Sequence, residues 1–257
     1  MRNCTYFISD LHLGAGYIAD PKAHERLVAG WLRSIAPTAR ALYLLGDVMD
    51  YWYEYRTVAP RGHLRFLGAL AQLADSGTEI VWLKGNHDVW LFDYLRNEIG
   101  LEVADGVVDR VIDGRRFVME HGDGAGEDRR SYRFLRSLFR SRFAQRLYSA
   151  IHPRWTVGFA FAWSKHSRLN GRPASTSSTL NDDDLLVRFA RSYMREHGHV
   201  DYFVFGHRHT LVDMNVADDT CLIVLGEAFS MMTYGVWDGK SFSLKKIQHA
   251  NRTNPDV

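Results

Sequence analysis

Five short apolar runs along the chain each end in a cluster of carboxylate, amide or imidazole side chains, and this repetition restricts the fold more than any other feature. Thr5 to Ser9 leads into Asp10-Leu11-His12-Leu13-Gly14, and Ala41 to Leu45 into Gly46-Asp47-Val48-Met49-Asp50. Glu79 to Leu83 leads into Gly85-Asn86-His87-Asp88, and Arg116 to Glu120 into His121-Gly122-Asp123. Val200 to Phe205 leads into Gly206-His207-Arg208-His209. Short continuous apolar runs read as buried strands. Between the first three lie helical periods. One spans Pro21 to Ala36, with apolar Ala23, Leu27, Trp31 and Ile35 and a proline near its start; the other covers residues 62–75. Strand, helix, strand, helix, strand, with polar residues at each strand's C-terminal end, is the α/β pattern.

The rest of the chain continues in short elements. A helix is expected from Val89 to Glu98, strands from Leu101 to Ala104 and Val107 to Ile112, and a hairpin turn at Asp113-Gly114. Further strands are expected at Leu211–Val216, Cys221–Leu225, Met231–Trp237 and Ser241–Ile247, followed by a polar tail over residues 249–257. The chain has 257 residues, enough for one large domain or for a domain carrying an insertion. Cys4 and Cys221 fall in expected strands and read as buried thiols, not as a disulfide framework or a thiolate metal site. Met1-Arg2-Asn3-Cys4 runs straight into the first strand without an apolar leader, and no run approaches the ~20 apolar residues of a spanning helix. A cytoplasmic protein is expected, with any membrane contact made from the surface.

A formal net charge of +2 is too small to imply nucleic acid, but the charge is unevenly placed. From Arg129 to Arg172 there are eleven Lys or Arg residues and no Asp or Glu, with Tyr132, Phe134, Phe139, Phe143, Tyr148, Trp155, Phe159, Phe161 and Trp163 interleaved. Pro153 and Gly158 divide this stretch into short helices. It reads as a basic, aromatic helical insertion over residues 124–180 on a single domain of residues 1–248. A self-contained helical cap explains the aromatics well and explains the missing acids poorly, because solvated helices mix both signs.

Asp10, His12, Asp47, Asn86, His121, His207 and His209 are oxygen and imidazole donors without sulfur. That mixture suits Mn²⁺, Fe²⁺ or Zn²⁺. Seven donors exceed one tetrahedral ion but serve two ions sharing a carboxylate. Two cations ~3.5–4 Å apart can bind a phosphoryl oxygen, acidify a water and neutralise charge in an in-line displacement. Taken singly, each cluster has a bland explanation as a turn, a cap or a satisfied core histidine. Five such coincidences in order are needed to dismiss the set.

The five blocks, in this order from residue 10 to residue 209, resemble those of the calcineurin-like metallophosphoesterases. The resemblance implies a four-layer α/β/β/α sandwich with a helical cap before the last metal motif. It also implies that Asp10, His12 and His209 bind one metal, that Asn86, His121 and His207 bind the other, and that Asp47 bridges. His87 would sit beside the attacked phosphorus as acid or stabilising cation, with Asp88 orienting it.

The whole layout is similar to a narrower family, the UDP-2,3-diacylglucosamine hydrolases of lipid A synthesis. Ser9-Asp10-Leu11-His12-Leu13, Tyr43-Leu44-Leu45-Gly46-Asp47, Met119-Glu120-His121-Gly122-Asp123, Val224-Leu225-Gly226 and the basic insertion carry that similarity. It implies hydrolysis of a lipid-linked nucleotide, UDP-2,3-diacylglucosamine, to UMP and 2,3-diacylglucosamine 1-phosphate. A hydroxide bridging two Mn²⁺ ions would attack the phosphorus on the uridine side. The reaction would take place at the inner-leaflet membrane surface, reached through the insertion, with no nucleic acid and no obligate protein partner. Asn86, Ser164, Lys165 and Arg168 would touch substrate. The chain departs from the narrower family at His87, where arginine is usual, at Arg208, where threonine is usual, and in the loop Tyr51 to Arg61. A phosphoesterase acting on another lipid-linked or soluble nucleotide fits those departures equally well.

Overall fold

A computed structural model of the chain describes residues 2–125, 130–156, 158 and 179–248. In chain order the elements are β1 (Cys4–Ile8), α1 (Pro21–Ile35), β2 (Ala39–Leu45), α2 (Leu64–Asp75), β3 (Glu79–Leu83), α3 (Tyr94–Ile99) and β4 (Glu102–Ala104). There follow β5 (Val108–Ile112), β6 (Arg115–Glu120), α4 (Arg130–Arg140), α5 (Arg142–Ser149) and α6 (Leu185–His197). The chain closes with β7 (Tyr202–Phe205), β8 (Leu211–Ala217), β9 (Thr220–Leu225), β10 (Thr233–Trp237) and β11 (Phe242–Lys246).

The strands form two sheets, ordered β11-β10-β1-β2-β3-β4 and β5-β6-β7-β9-β8. β1 to β4 are parallel, as are β6, β7 and β9. Side-chain alternation along each strand shows why the runs are apolar throughout. Phe7, Tyr43, Leu45, Val81 and Leu83 face Phe117, Met119, Val204, Ile223 and Leu225 between the sheets. The intervening Ile8, Leu42, Leu44, Ile80 and Trp82 face outward, onto Val28, Leu32, Phe66 and Leu70 of α1 and α2. On the other side Val118, Phe203, Phe205, Leu222 and Val224 pack against Leu186, Val187 and Ala190 of α6. Both faces of both sheets are covered, which makes the four-layer α/β/β/α sandwich.

Local chemistry fixes the ends. Pro21 opens α1, and the Asp20 carboxylate accepts from the Ala23 N–H at 2.8 Å. Asp113 and Gly114 both take positive φ, as the primed turn joining β5 and β6 demands. Two expectations need correction. Residues 89–93 are not helical, and α3 starts at Tyr94. The buried Glu54 carboxylate accepts from the backbone N–H groups of Phe92, Tyr94 and Leu95, while Tyr53 and Trp90 form a β-bridge, so this segment is drawn out by the preceding loop. Cys4 and Cys221 are half-buried free thiols, not buried ones. α6 is an element that the sequence patterning leaves unassigned; Asp184 caps it by accepting from Leu186 N–H at 2.9 Å. Among the described residues no helix is long and apolar enough to cross a membrane.

Candidate metal centre

The parallel strands bring five chain segments to one edge of the sandwich. Asp10, Asp47 and Asn86 follow β1, β2 and β3 in one sheet; His121 and the His207–His209 pair follow β6 and β7 in the other. The first two loops are zipped together by backbone bonds from Asp10 N to Gly46 O, His12 N to Asp47 O and Leu13 N to Val48 O, at 2.9–3.1 Å. Glycines permit the closest approaches. A Cβ on Gly85 would lie 2.2 Å from Asp47 Oδ1, and one on Gly206 1.9 Å from Ser9 Oγ.

Asp10, His12, Asp47 and His121 are buried, and their free atoms converge. Asp10 Oδ2 accepts from Ser9 Oγ at 2.6 Å and from His207 N–H at 2.9 Å. That leaves Oδ1, 3.3 Å from His209 Nε2 and 3.8 Å from His12 Nε2. Asp47 Oδ1 accepts from His87 N–H at 2.8 Å. Its Oδ2 lies 3.4 Å from His121 Nε2, 3.7 Å from His12 Nε2 and 4.0 Å from His87 Nε2. Asn86 Oδ1 is 3.2 Å from His121 Nε2. The His121 Nδ1–H donates to Leu45 O at 2.7 Å; because a carbonyl only accepts, the tautomer is fixed and Nε2 points into the cluster.

Backbone strain gathers at the same place. Eight non-glycine residues among those described have positive φ, and Asp10, His12, Asp47, His207 and His209 are five of them. Each such residue costs of order 1–3 kcal/mol and persists where its surroundings over-determine it, as at active sites.

The donor set fits divalent cations. Asp10 with His12 and His209, His12 with Asp47 and His87, and Asp47 with His121 and His207 each offer ligand atoms within 4.8 Å of one another. Among the described residues no hydrogen-bond partner meets the buried Asp10 Oδ1 or His12 Nε2, and a cation between them would supply one. Burial alone would push the His12 imidazole down, yet Asp10, Asp50 and Asp47 raise it to about 9. Burial likewise opposes the charged form of His121, and the Asp47 charge overcomes it. His207 goes the other way, lowered to about 4 by burial and by the His121 charge.

A pH dependence follows. The folded pKa of His12 lies above its ordinary 6.5, so its contribution to metal-free stability is complete below pH 6.5 and is lost as pH rises through 9. Metal ligation needs the neutral imidazole, so affinity climbs over that window, by ~10-fold per pH unit for each proton released. Chelator-treated protein should lose thermal stability from pH 6.5 to 9 while its Mn²⁺ affinity rises. A flat affinity across that range would count against these ligands.

The structure corrects one expected partner. Asp88 does not face His87: its buried carboxylate accepts from the N–H groups of Asp47, Val48 and Gly85 and from Trp82 Nε1, at 2.8–3.3 Å, and so braces the loops. Burial and the Asp47 charge raise its pKa. His87 instead donates from Nδ1 to Asp50 O at 2.9 Å, and Asp50 Oδ1 lies 3.6 Å from that nitrogen and 3.3 Å from His12 Nδ1. Asp50 is thus a site residue that sequence reasoning missed; its place three residues after Asp47 was the available signal. Arg208 turns to the Asp184 cap of α6, 3.2 Å away, which gives this departure a structural role.

Of the insertion, α4 and α5 are described, whereas Ser164, Lys165 and Arg168 lie outside the described residues, as does the 249–257 tail. Arg136 bonds Asp123 at 3.0 Å and approaches Glu120, and Arg140 bonds Asp105 at 3.0 Å. The distinctive loop after Asp50 grips α5 and the residues that follow it. Tyr53 Oη donates to Gln145 O at 2.7 Å, the Tyr51 and Tyr148 hydroxyls meet at 3.1 Å, and Tyr55 reaches Thr156 at 2.8 Å. Trp90 Nε1 donates to Phe139 O at 2.9 Å.

Among the relatives that the chain resembles are three that are each a UDP-2,3-diacylglucosamine hydrolase by name. The protein of Porphyromonas gingivalis is 43% identical over 259 residues, covering 96% of this chain and 99% of its own. Those of Ralstonia nicotianae and Edwardsiella ictaluri are 36% and 30% identical, covering 60% and 86% of this chain and 56% and 83% of theirs. Residues 5–211, which hold all seven donors, match the calcineurin-like phosphoesterase family, and the chain belongs to that family of metal-dependent hydrolases.

Proposed function

We propose that the chain hydrolyses the pyrophosphate of UDP-2,3-diacylglucosamine, giving UMP and 2,3-diacylglucosamine 1-phosphate. The observation that carries this reading is the end-to-end match, at 43% identity, to a relative of that name. We assign Asp10, His12 and His209 to one divalent cation, Asn86, His121 and His207 to a second, and Asp47 to both, with Mn²⁺ as the ion. Bound cations would neutralise phosphoryl oxygens and lower the pKa of water. The protein's own groups do the rest. His87, held by Asp50 through Nδ1, presents Nε2 to the substrate as proton donor or as a cation beside the charge that develops. Asn86 meets a phosphoryl oxygen, and Ser164, Lys165 and Arg168 of the 124–180 insertion meet the rest of the substrate.

We assign the same insertion to the inner-leaflet surface. Phe134 and Leu138 on α4, Phe143 and Leu147 on α5, then Ile151 and Trp155, are exposed large apolar residues spaced mostly by four. Arg130, Arg133, Arg142, Arg146 and Arg154 lie among them. An apolar ridge set among arginines suits an anionic bilayer, in which a diacyl substrate resides.

The test is mass spectrometry of products from UDP-2,3-diacylglucosamine with Mn²⁺ and detergent. UMP with the diacyl sugar phosphate is expected. Absence of both, with p-nitrophenyl phosphoesters still cleaved, would remove this substrate and leave the metal chemistry.

A further inference from the structure

We infer that Tyr17 and Phe229 form the nucleoside side of the site, an aromatic wall against which the pyrimidine of a bound nucleotide packs; the inference rests on the function proposed above. The argument begins with the two ends of the metal centre. Helix α4 of the insertion is anchored beside one of them. Its anchors Asp123, two residues beyond His121, and Trp90, four residues beyond Asn86, hold α4 at the Asn86 and His121 side, and Asp105 beyond β4 adds a third. The other end, at His12 and His209, is flanked by two half-buried rings, Tyr17 and Phe229. Phe229 stands edge-on to both imidazoles, with centroids 5.9 Å from His12 and 5.6 Å from His209. Tyr17 lies 6.2 Å from His12 and 5.8 Å from Phe229.

A pyrophosphate diester carries its two substituents on opposite phosphorus atoms, so a substrate laid across the centre sends them in opposite directions. The diacyl sugar belongs with the apolar ridge of α4 and α5. The nucleoside is therefore directed past His12 and His209, to Tyr17 and Phe229. Base–aromatic packing is worth enough there to fix which phosphorus faces the attacking water.

The wall is built rigidly. The buried Glu227 carboxylate accepts from the N–H groups of Phe229, Ser230 and Met231 and from the Ser230 hydroxyl, closing a tight turn. Ala228 N–H, next to Phe229, donates to Asp10 O at 3.1 Å and ties that turn to the donor loop. The Tyr17 hydroxyl donates to Asp50 Oδ1 at 3.4 Å. Both rings are thus positioned relative to the metal donors before a nucleotide arrives, and little ordering is needed on binding. Neither residue belongs to the motifs that carry the family resemblance, so the metal chemistry does not account for them.

The experiment is calorimetric titration of UMP, and separately of inorganic phosphate, onto Mn²⁺-loaded full-length protein. Tyr17→Ala and Phe229→Ala should each weaken UMP by about 10- to 100-fold while phosphate affinity stays at the wild-type value. Tyr17→Phe, which keeps the ring and removes the hydroxyl, should retain UMP binding and guards against a folding defect in the alanine variant. Wild-type UMP affinity in both alanine variants would overturn the inference, as would an equal loss of UMP and phosphate, since the defect would then lie in the metals. Failure of the wild type to hydrolyse UDP-2,3-diacylglucosamine, with UMP weakened in both variants, would remove the proposed substrate and leave the wall in place. Normal turnover with unaltered UMP binding would do the reverse.

Discussion

Asp47→Asn should abolish phosphoester hydrolysis and strip the protein of metal, although the chain should still fold. Asparagine is the informative replacement because Asp47 has φ 52°. Asparagine tolerates that left-handed conformation, whereas alanine would add backbone strain of its own. The amide oxygen can still accept from His87 N–H, so what is lost is the negative charge. That charge sits 3.4 Å from His121 Nε2 and 3.7 Å from His12 Nε2, central to the cluster. Losing an outer partner of a metal ligand typically costs ~10–100-fold in affinity, and a shared ligand costs more. Metal content by mass spectrometry and turnover of a p-nitrophenyl phosphoester should fall together. A folded variant holding two metals with wild-type turnover would show that Asp47 is not the shared ligand. Asp47→Ala should lose the same activity and, in addition, unfold at lower temperature.

The sequence makes this centre legible because strands buried on both faces are written as continuous apolar runs, and a glycine or a polar residue marks where each run stops. β3 is bounded in the structure as the pattern predicts, and Asp10, Asp47, Asn86, His121, His207 and His209 all follow such strand ends. What the sequence hides is contact between distant segments. Nothing local distinguishes Asp50 from Asp88 as the partner of His87; the choice is made by how the β2 and β3 loops cross. Glu54 draws residues 92–95 into place from about forty positions away, which defeats the helical period starting at Val89. The tyrosines of the loop after Asp50 read as a departure from the family, and only the position of α5 shows their purpose. α6 escapes notice for a different reason. Its buried Leu186, Val187 and Ala190 form a narrow stripe among charged residues, because it packs on one sheet face alone.

His87→Ala should lower turnover by ~10²–10⁴-fold while metal content stays near normal, the signature of a general acid and not of a ligand. The separation is possible because His87 contributes two things through different atoms. Its backbone N–H holds Asp47 Oδ1 at 2.8 Å and survives the substitution, whereas its imidazole, with Nε2 4.0 Å from Asp47 Oδ2, does not. Asp50→Ala should behave differently. It removes a carboxylate that faces both His87 Nδ1 and His12 Nδ1, so it should slow turnover and also weaken metal binding by ~10–100-fold. Residues acting as a unit are not additive. With metal supplied at saturation, the His87→Ala/Asp50→Ala double variant should therefore be scarcely slower than His87→Ala alone. Full multiplication of the two defects under those conditions would mean that Asp50 acts on the reaction independently of His87. Unchanged turnover in His87→Ala with metals bound would remove the imidazole from the chemistry altogether, leaving the protonation of the leaving group to solvent.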